Sequence, residues 1–185
     1  MELNDLIYVV RCVPTRMVHV LEVKKQIPEL IIYQDRDGHA MLSFIKALRL
    51  IGERPAVLME DDIKLTSNFK SKAEAVIAEY PGTIISFFTL ARKIEHSEWR
   101  GGSRFSSNLC TYFPPGYAVQ IADYYDEWTR KEEHPTGYDL MIADWLKSRK
   151  ERYYLHQPSL VQHLHLVSAI DRRRSKYRQA VNFEE

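Results

Sequence analysis

Short apolar runs alternate with helical repeats along the first half of this chain. Leu6-Ile-Tyr-Val-Val10 is β-branched and aromatic, the composition of a buried strand. Pro14-Thr15 breaks that run and opens a predicted helix through Lys25. Leu30-Ile-Ile-Tyr33 predicts a second strand, closing on the turn residues Asp35-Arg-Asp37-Gly38. Met41, Phe44, Ile45 and Leu48 then recur at helical spacing, and Gly52 stands where that helix would stop. Pro55-Ala-Val-Leu-Met59 reads as a third strand. Ser67 or Asn68 can cap a third helix with the apolar face Phe69, Ala73, Val76, Ile77 and Tyr80, which Pro81-Gly82 ends. Thr83 to Leu90 returns as strand. This β-α-β-α-β-α-β order predicts an α/β fold: one Rossmann-like domain with a mostly parallel sheet flanked by helices.

The second half is less regular. Residues 91 to 108 are polar and carry Gly101-Gly102 between Arg100 and Arg104, which reads as a loop longer than connection requires, a lid or a plain surface loop. Tyr112 to Gln120 predicts strand, leading into a helix bearing Tyr117, Ile121, Tyr124 and Trp128. His134-Pro-Thr-Gly-Tyr138-Asp139 reads as a loop entering a helix, with Tyr138, Met141, Ile142 and Trp145 on its buried stripe. Tyr153-Tyr-Leu is a short strand that runs into Gln157-Pro-Ser-Leu-Val-Gln-His163.

Composition narrows the field. At 185 residues the chain can bury one sizeable core, and without an internal repeat or linker it divides into a domain over 1–170 and a basic tail over 171–185. A formal net charge of +1 predicts no global attraction to nucleic acid or membrane, so any electrostatic function is local. Met1-Glu-Leu-Asn-Asp has neither the basic segment nor the apolar run of a signal peptide, and no stretch approaches the ~20 apolar residues of a membrane span, so a cytoplasmic location is expected. Cys12 and Cys110 are isolated, which disfavours a disulfide framework or a cysteine zinc site and predicts two reduced thiols.

The chemistry is expected at Glu60-Asp61-Asp62, where the third strand ends in three consecutive carboxylates. Adjacent acids repel and resist burial, so such an end calls for a divalent cation or a polycationic partner, unless it is simply a solvated strand end followed by Lys64. Ligands of open α/β sheets also gather outside the carboxyl ends of strands.

A strand ending Leu58-Met-Glu60-Asp61-Asp62, a later Tyr138-Asp139 opening a helix, and a closing Pro158-Ser-Leu-Val-Gln-His163 together resemble a compact GT-A glycosyltransferase over residues 6 to 168. In that family the acidic motif, DxD in its general form and Glu-Asp-Asp here, holds a divalent metal against the diphosphate of a nucleotide sugar. The resemblance implies a GT-A-like fold, Mn²⁺ or Mg²⁺ as cofactor, a UDP-sugar as donor and a hydroxyl-bearing acceptor. A hard cation held by oxygen ligands neutralises the charge that grows on a departing diphosphate.

Residue by residue, Asp62 resembles the direct metal ligand and His163 the C-terminal one, an imidazole that would favour Mn²⁺ over Mg²⁺. Asp61 would face the ribose or a metal-bound water. Glu60 would join the donor site, or pair with a nearby Arg or Lys. Arg16 resembles a basic residue near the donor base or phosphates, and Asp35 a base or ribose contact. Asp139 matches the base that an inverting enzyme needs, although Asp at a helix start is also a favoured cap worth about 1 kcal/mol. Asp144 is the substitute, and a retaining enzyme would need neither.

The run Arg172-Arg-Arg174-Ser-Lys176-Tyr-Arg178 packs five cations into seven residues. Such a run is usually a solvated tail or helix face; it could instead fold over the diphosphate or, with Arg92, Lys93, Arg100 and Arg104, bind a polyanionic acceptor, which leaves both a glycan and a hydroxylated base of modified DNA as candidate acceptors. Two other classes remain. Asp62-Ile-Lys64 fits the acid-x-Lys element of a metal-dependent nuclease, with Asp35 or Asp37 as second acid. A non-catalytic nucleotide-binding module on the same fold is the other. Glycine-rich GxGxxG and P-loop elements and a Gly-x-Ser-x-Gly elbow are absent.

Overall fold

A computed structural model describes residues 5–36, 38–90, 94–164, 166, 179–180 and 182–185. The chain forms β1 (Ile7–Cys12), α1 (Met17–Gln26), β2 (Ile31–Gln34), α2 (Ala40–Ile51), β3 (Ala56–Glu60), β4 (Ile63–Leu65), α3 (Phe69–Glu79), β5 (Ile85–Ser86), β6 (Glu98–Gly101), β7 (Cys110–Phe113), α4 (Tyr117–Glu127), α5 (Tyr138–Ser148), β8 (Arg152–Leu155) and β9 (Val161–His163). This is an α/β fold. Seven strands form one sheet in the order β2-β1-β3-β7-β5-β8-β6, and β4 pairs with β9 in a small second sheet.

The large sheet is mixed, where a mostly parallel one was expected. β2, β1 and β3 run parallel, and β8 runs parallel to β5, but β7 is antiparallel to both β3 and β5, and β6 to β8. Alternation along each strand sends its side chains to two cores. Tyr8, Val10, Val57 and Met59 face α1 and α3, whose Val20, Val23, Phe69 and Ile77 fill one core. Val9, Ala56 and Leu58 face α2, α4 and α5, which supply Phe44, Leu48, Ile121, Ile142 and Trp145 to the other. Each such side chain contributes about 1.5–3 kcal/mol by leaving water.

The boundaries follow local chemistry. α2 ends at Gly52, whose φ of 65° no other residue adopts cheaply and whose N–H donates to the Leu48 carbonyl. Asn68 stands at the cap position of α3 as expected, yet its side chain makes no capping bond. Three expectations are corrected. The strand expected over Tyr112–Gln120 begins at Cys110 and stops at Phe113, because Pro114-Pro115 cannot continue a ladder and α4 takes Tyr117 onward. The strand expected over Thr83–Leu90 is only Ile85–Ser86. Within 91–108, expected as a loop, β6 pairs with β8 at the sheet edge and Gly102 packs against α5. A Cβ at Gly102 would lie 2.3 Å from that of Leu146, so only glycine permits this approach.

Residues at the far end of the chain fold back. The Ala180 N–H donates to Gln162 Oε1 at 2.7 Å, the Ser159 N–H donates to the Asn182 carbonyl, and Glu185 pairs with Lys64. The basic run 171–178, with Asp37, Arg92, Lys93 and His165, lies outside the described residues. No helix among the described residues is long and apolar enough to cross a membrane. Cys12 and Cys110 are both free and buried.

Candidate functional site

Because β1, β2 and β3 run parallel, their carboxyl ends open on one edge of the sheet, and the residues just past them line a cavity of about 530 Å³. A volume of several hundred Å³ is that of a small-molecule site. Arg16 follows β1, Asp35 follows β2, Glu60, Asp61 and Asp62 end β3, Asp139 lies in the first turn of α5, and His163 ends β9. All of them line the cavity. Segments as distant in sequence as 16 and 163 therefore meet at one sheet edge.

The small sheet explains how His163 reaches the triplet. β4 leaves immediately after Asp62 and pairs antiparallel with β9, placing Ile63 opposite His163, and the Leu164 N–H donates to the Asp62 carbonyl at 2.7 Å. That register leaves His163 Nε2 3.5 Å from Asp62 Oδ2.

Glu60 has a cation to itself, whereas Asp61 and Asp62 share one. Glu60 takes the pairing role: Arg11 donates to its two oxygens at 2.7 and 2.8 Å. Arg11 is enclosed by the ring of Tyr138 at 4.7 Å and that of Phe44 at 5.9 Å, and it also donates to the Ala40 carbonyl. Burial pushes the Glu60 carboxyl up to about 7 against the lowering by Arg11, with Asp62 and Asp61 adding to the rise. Asp61 accepts the Val13 N–H at 2.7 Å and Arg16 at 2.8 Å. Burial raises the Asp61 carboxyl, opposed by that N–H and by Arg16. Arg16 also donates to Asp62 Oδ2 at 2.9 Å. Burial works against its charge, but Asp61 and Asp62 outweigh it and hold the guanidinium above its ordinary value.

The remaining residues divide clearly. Asp35 is buried at the cavity edge and accepts the Gly38 N–H at 3.1 Å, closing the turn before α2. Asp139 also lines the cavity, as do Pro135 and Thr136 shortly before it in the chain. Asp144 is not in the cavity wall: it accepts from Trp128 Nε1 at 2.9 Å and Arg130 at 3.0 Å, a structural role that removes it as substitute base. Lys64 is also outside the wall and pairs with Glu185 at the surface, so the acid-x-Lys geometry of a nuclease is not formed. Arg100 pairs with Glu98 at 3.3 Å. Burial pushes the Cys12 thiol in the cavity wall up to about 11, which rules it out as a thiolate nucleophile near neutral pH.

Arg11 and Asn108 are among the wall residues that went unnoticed in the sequence. Arg11 had a visible signal, a guanidinium inside the apolar run Ile7–Cys12, which demands a buried partner. Asn108 had none.

The donor set decides what cation could sit here. Neighbouring ligands on one ion with bonds of about 2.1 Å stand roughly 3 Å apart, close to the Asp62–His163 spacing of 3.5 Å. Among the described residues no three His, Cys, Asp or Glu side chains converge, and Arg16 already occupies the shared Asp62 oxygen. The residues therefore fit a cation that arrives with an anionic ligand and takes its other contacts from that ligand and water, rather than a resident ion. Arg16→Gln is expected to tighten Mn²⁺ binding to nucleotide-free protein about tenfold, since a competing charge-assisted bond of about 1.5–3 kcal/mol is lost. Calorimetric titration with MnCl₂ measures this, and weaker Mn²⁺ binding in the variant contradicts the competition. No family model and no curated protein matches this chain, so its functional reading rests on the residues of the cavity itself.

Proposed function

We propose that this chain is a metal-dependent glycosyltransferase of GT-A type, moving a sugar from a nucleotide-diphosphate donor, a UDP-sugar, to the hydroxyl of a glycan or of a hydroxylated nucleic-acid base. The observation that carries the reading is the meeting of Asp62 with His163 in a cavity at the carboxyl edge of β1, β2 and β3. Asp62 and His163 would hold Mn²⁺ or Mg²⁺, which supplies neutralisation of the charge gathering on the departing diphosphate. Arg16, which bridges Asp61 and Asp62, would present its planar guanidinium to the phosphate oxygens of the donor. Asp35, just past the end of β2, would contact the base or the ribose. Asp139, also in the cavity wall, would take the proton from the acceptor hydroxyl if the sugar inverts. A nuclease is disfavoured by the surface pairing of Lys64.

A thermal-shift titration tests the reading. With Mn²⁺ present, UDP at a hundredfold excess over its Kd stabilises the fold by about 2.7 kcal/mol, which raises the melting temperature by roughly 5–10 °C in a domain of this size. EDTA abolishes the shift. A UDP shift that ignores EDTA, or no shift with UDP in any condition, refutes the proposal.

A further inference from the structure

Among the described residues, one side chain in the wall of the cavity, Asn108, has both ends of its amide unmet. Asn108 is 2% exposed, lines the cavity, and has no hydrogen-bond partner among the described residues for either its Nδ2 or its Oδ1. A buried amide left this way costs stability. Both ends are unpartnered, so exchanging the N and O of the amide leaves the demand the same. An amide offers two N–H donors and a carbonyl acceptor side by side, the complement of a hydroxyl pair on adjacent carbons.

The sheet order says which part of a ligand meets it. Across the cavity floor the strands run β2, β1, β3, β7. Asp35 follows β2, Arg16 follows β1 and the acids end β3. Met59 pairs with Cys110 and the Glu60 N–H donates to the Leu109 carbonyl, so Asn108, just before β7, comes alongside the triplet on the side away from Asp35. A ligand whose base lies over β2 and whose diphosphate lies at Asp62 extends its sugar over the start of β7. From this order we infer that Asn108 reads the hydroxyls of the transferred sugar and sets donor specificity. This inference rests on the reading of the site as a nucleotide-sugar site and adds the residue that recognises the sugar.

The test compares affinities for UDP, UDP-glucose and UDP-galactose in the presence of Mn²⁺, by calorimetry, in wild type, Asn108→Ala and Asn108→Ser. The expected result is UDP affinity within twofold of wild type in both variants, with the better UDP-hexose weakened about tenfold, the loss of two neutral hydrogen bonds. Discrimination between the two epimers shrinks by the same factor. The melting temperature of ligand-free Asn108→Ala is not lowered, because no protein hydrogen bond is removed; a purely structural amide predicts a lower one. The ratio of UDP-hexose to UDP affinity decides: an unchanged ratio, or equal losses for UDP and UDP-hexose, overturns the role of Asn108. Wild-type protein that binds none of the three nucleotides overturns the nucleotide-sugar reading itself and this inference with it.

Discussion

If the proposed transferase reading holds, replacing Asp62 with alanine is expected to abolish the cation-dependent response to UDP and to lower donor turnover at least about 10³-fold, while the ligand-free fold persists. The effect is large because Asp62 and His163 are the only two side chains assigned to the cation, and a lone imidazole cannot hold one against water. The fold survives for a separate reason. Asp62 lies past the end of β3, and its loss relieves repulsion with Asp61 and Glu60 while Arg16 keeps its bond to Asp61. Thermal melting with UDP and Mn²⁺, and donor hydrolysis without acceptor, read the two halves of this expectation. Lys64→Ala is the control two residues away: its side chain faces Glu185 at the surface, so nucleotide binding is unaffected. Cation-dependent UDP stabilisation that persists in Asp62→Ala removes the basis for the assignment. Cation-dependent nucleic-acid cleavage lost in Lys64→Ala would favour the nuclease instead.

What the sequence revealed was local. β1, β2, β3 and the helices between them follow from alternation and helical spacing, since each signal sits within one segment and the right-handed βαβ connection does the rest. The mixed sheet was hidden because its cause is distant pairing: β7 inserts antiparallel between β3 and β5, a choice no neighbouring residue announces. β6 reads Glu-Trp-Arg-Gly, an edge strand without an apolar run, and so passes for loop. Pro114-Pro115 is a legible stop inside the expected strand, since neither proline can donate to a ladder. In the site, the acids were visible as a costly cluster and Asp35 as a turn residue, but the contact between Asp62 and His163 depends on the β4–β9 pairing. Only the resemblance of motifs suggested that contact. Asn108 was invisible because its meaning lies in lacking a partner, which is a property of the folded cavity alone.

Arg11→Met is expected to cost about 3 kcal/mol at pH 8 and less at pH 6. The guanidinium makes both bonds to Glu60, donates to the Ala40 carbonyl and stacks on Tyr138, and breaking a buried pair from one side leaves its partner uncompensated. The pH dependence follows from the carboxyl. Its folded value, about 7, lies above the unfolded value near ~4.3, so across that window the folded protein holds the extra proton and wild-type stability declines as pH rises. Above about 7 both states are ionised and the wild-type decline from this group ends. Without Arg11 the one strong lowering influence is gone, the carboxyl moves further up, and stability keeps falling above that point by up to about 1.4 kcal/mol per pH unit. Chemical denaturation at pH 6, 7.5 and 8.5 measures the divergence. Arg11→Met combined with Glu60→Met removes the titrating group, so its penalty no longer grows with pH, and replacing the whole pair by apolar side chains recovers much of the stability. A penalty for Arg11→Met that is the same at all three pH values would mean that the pair's charge plays no part and that Arg11 serves only to fill space between Tyr138 and β1.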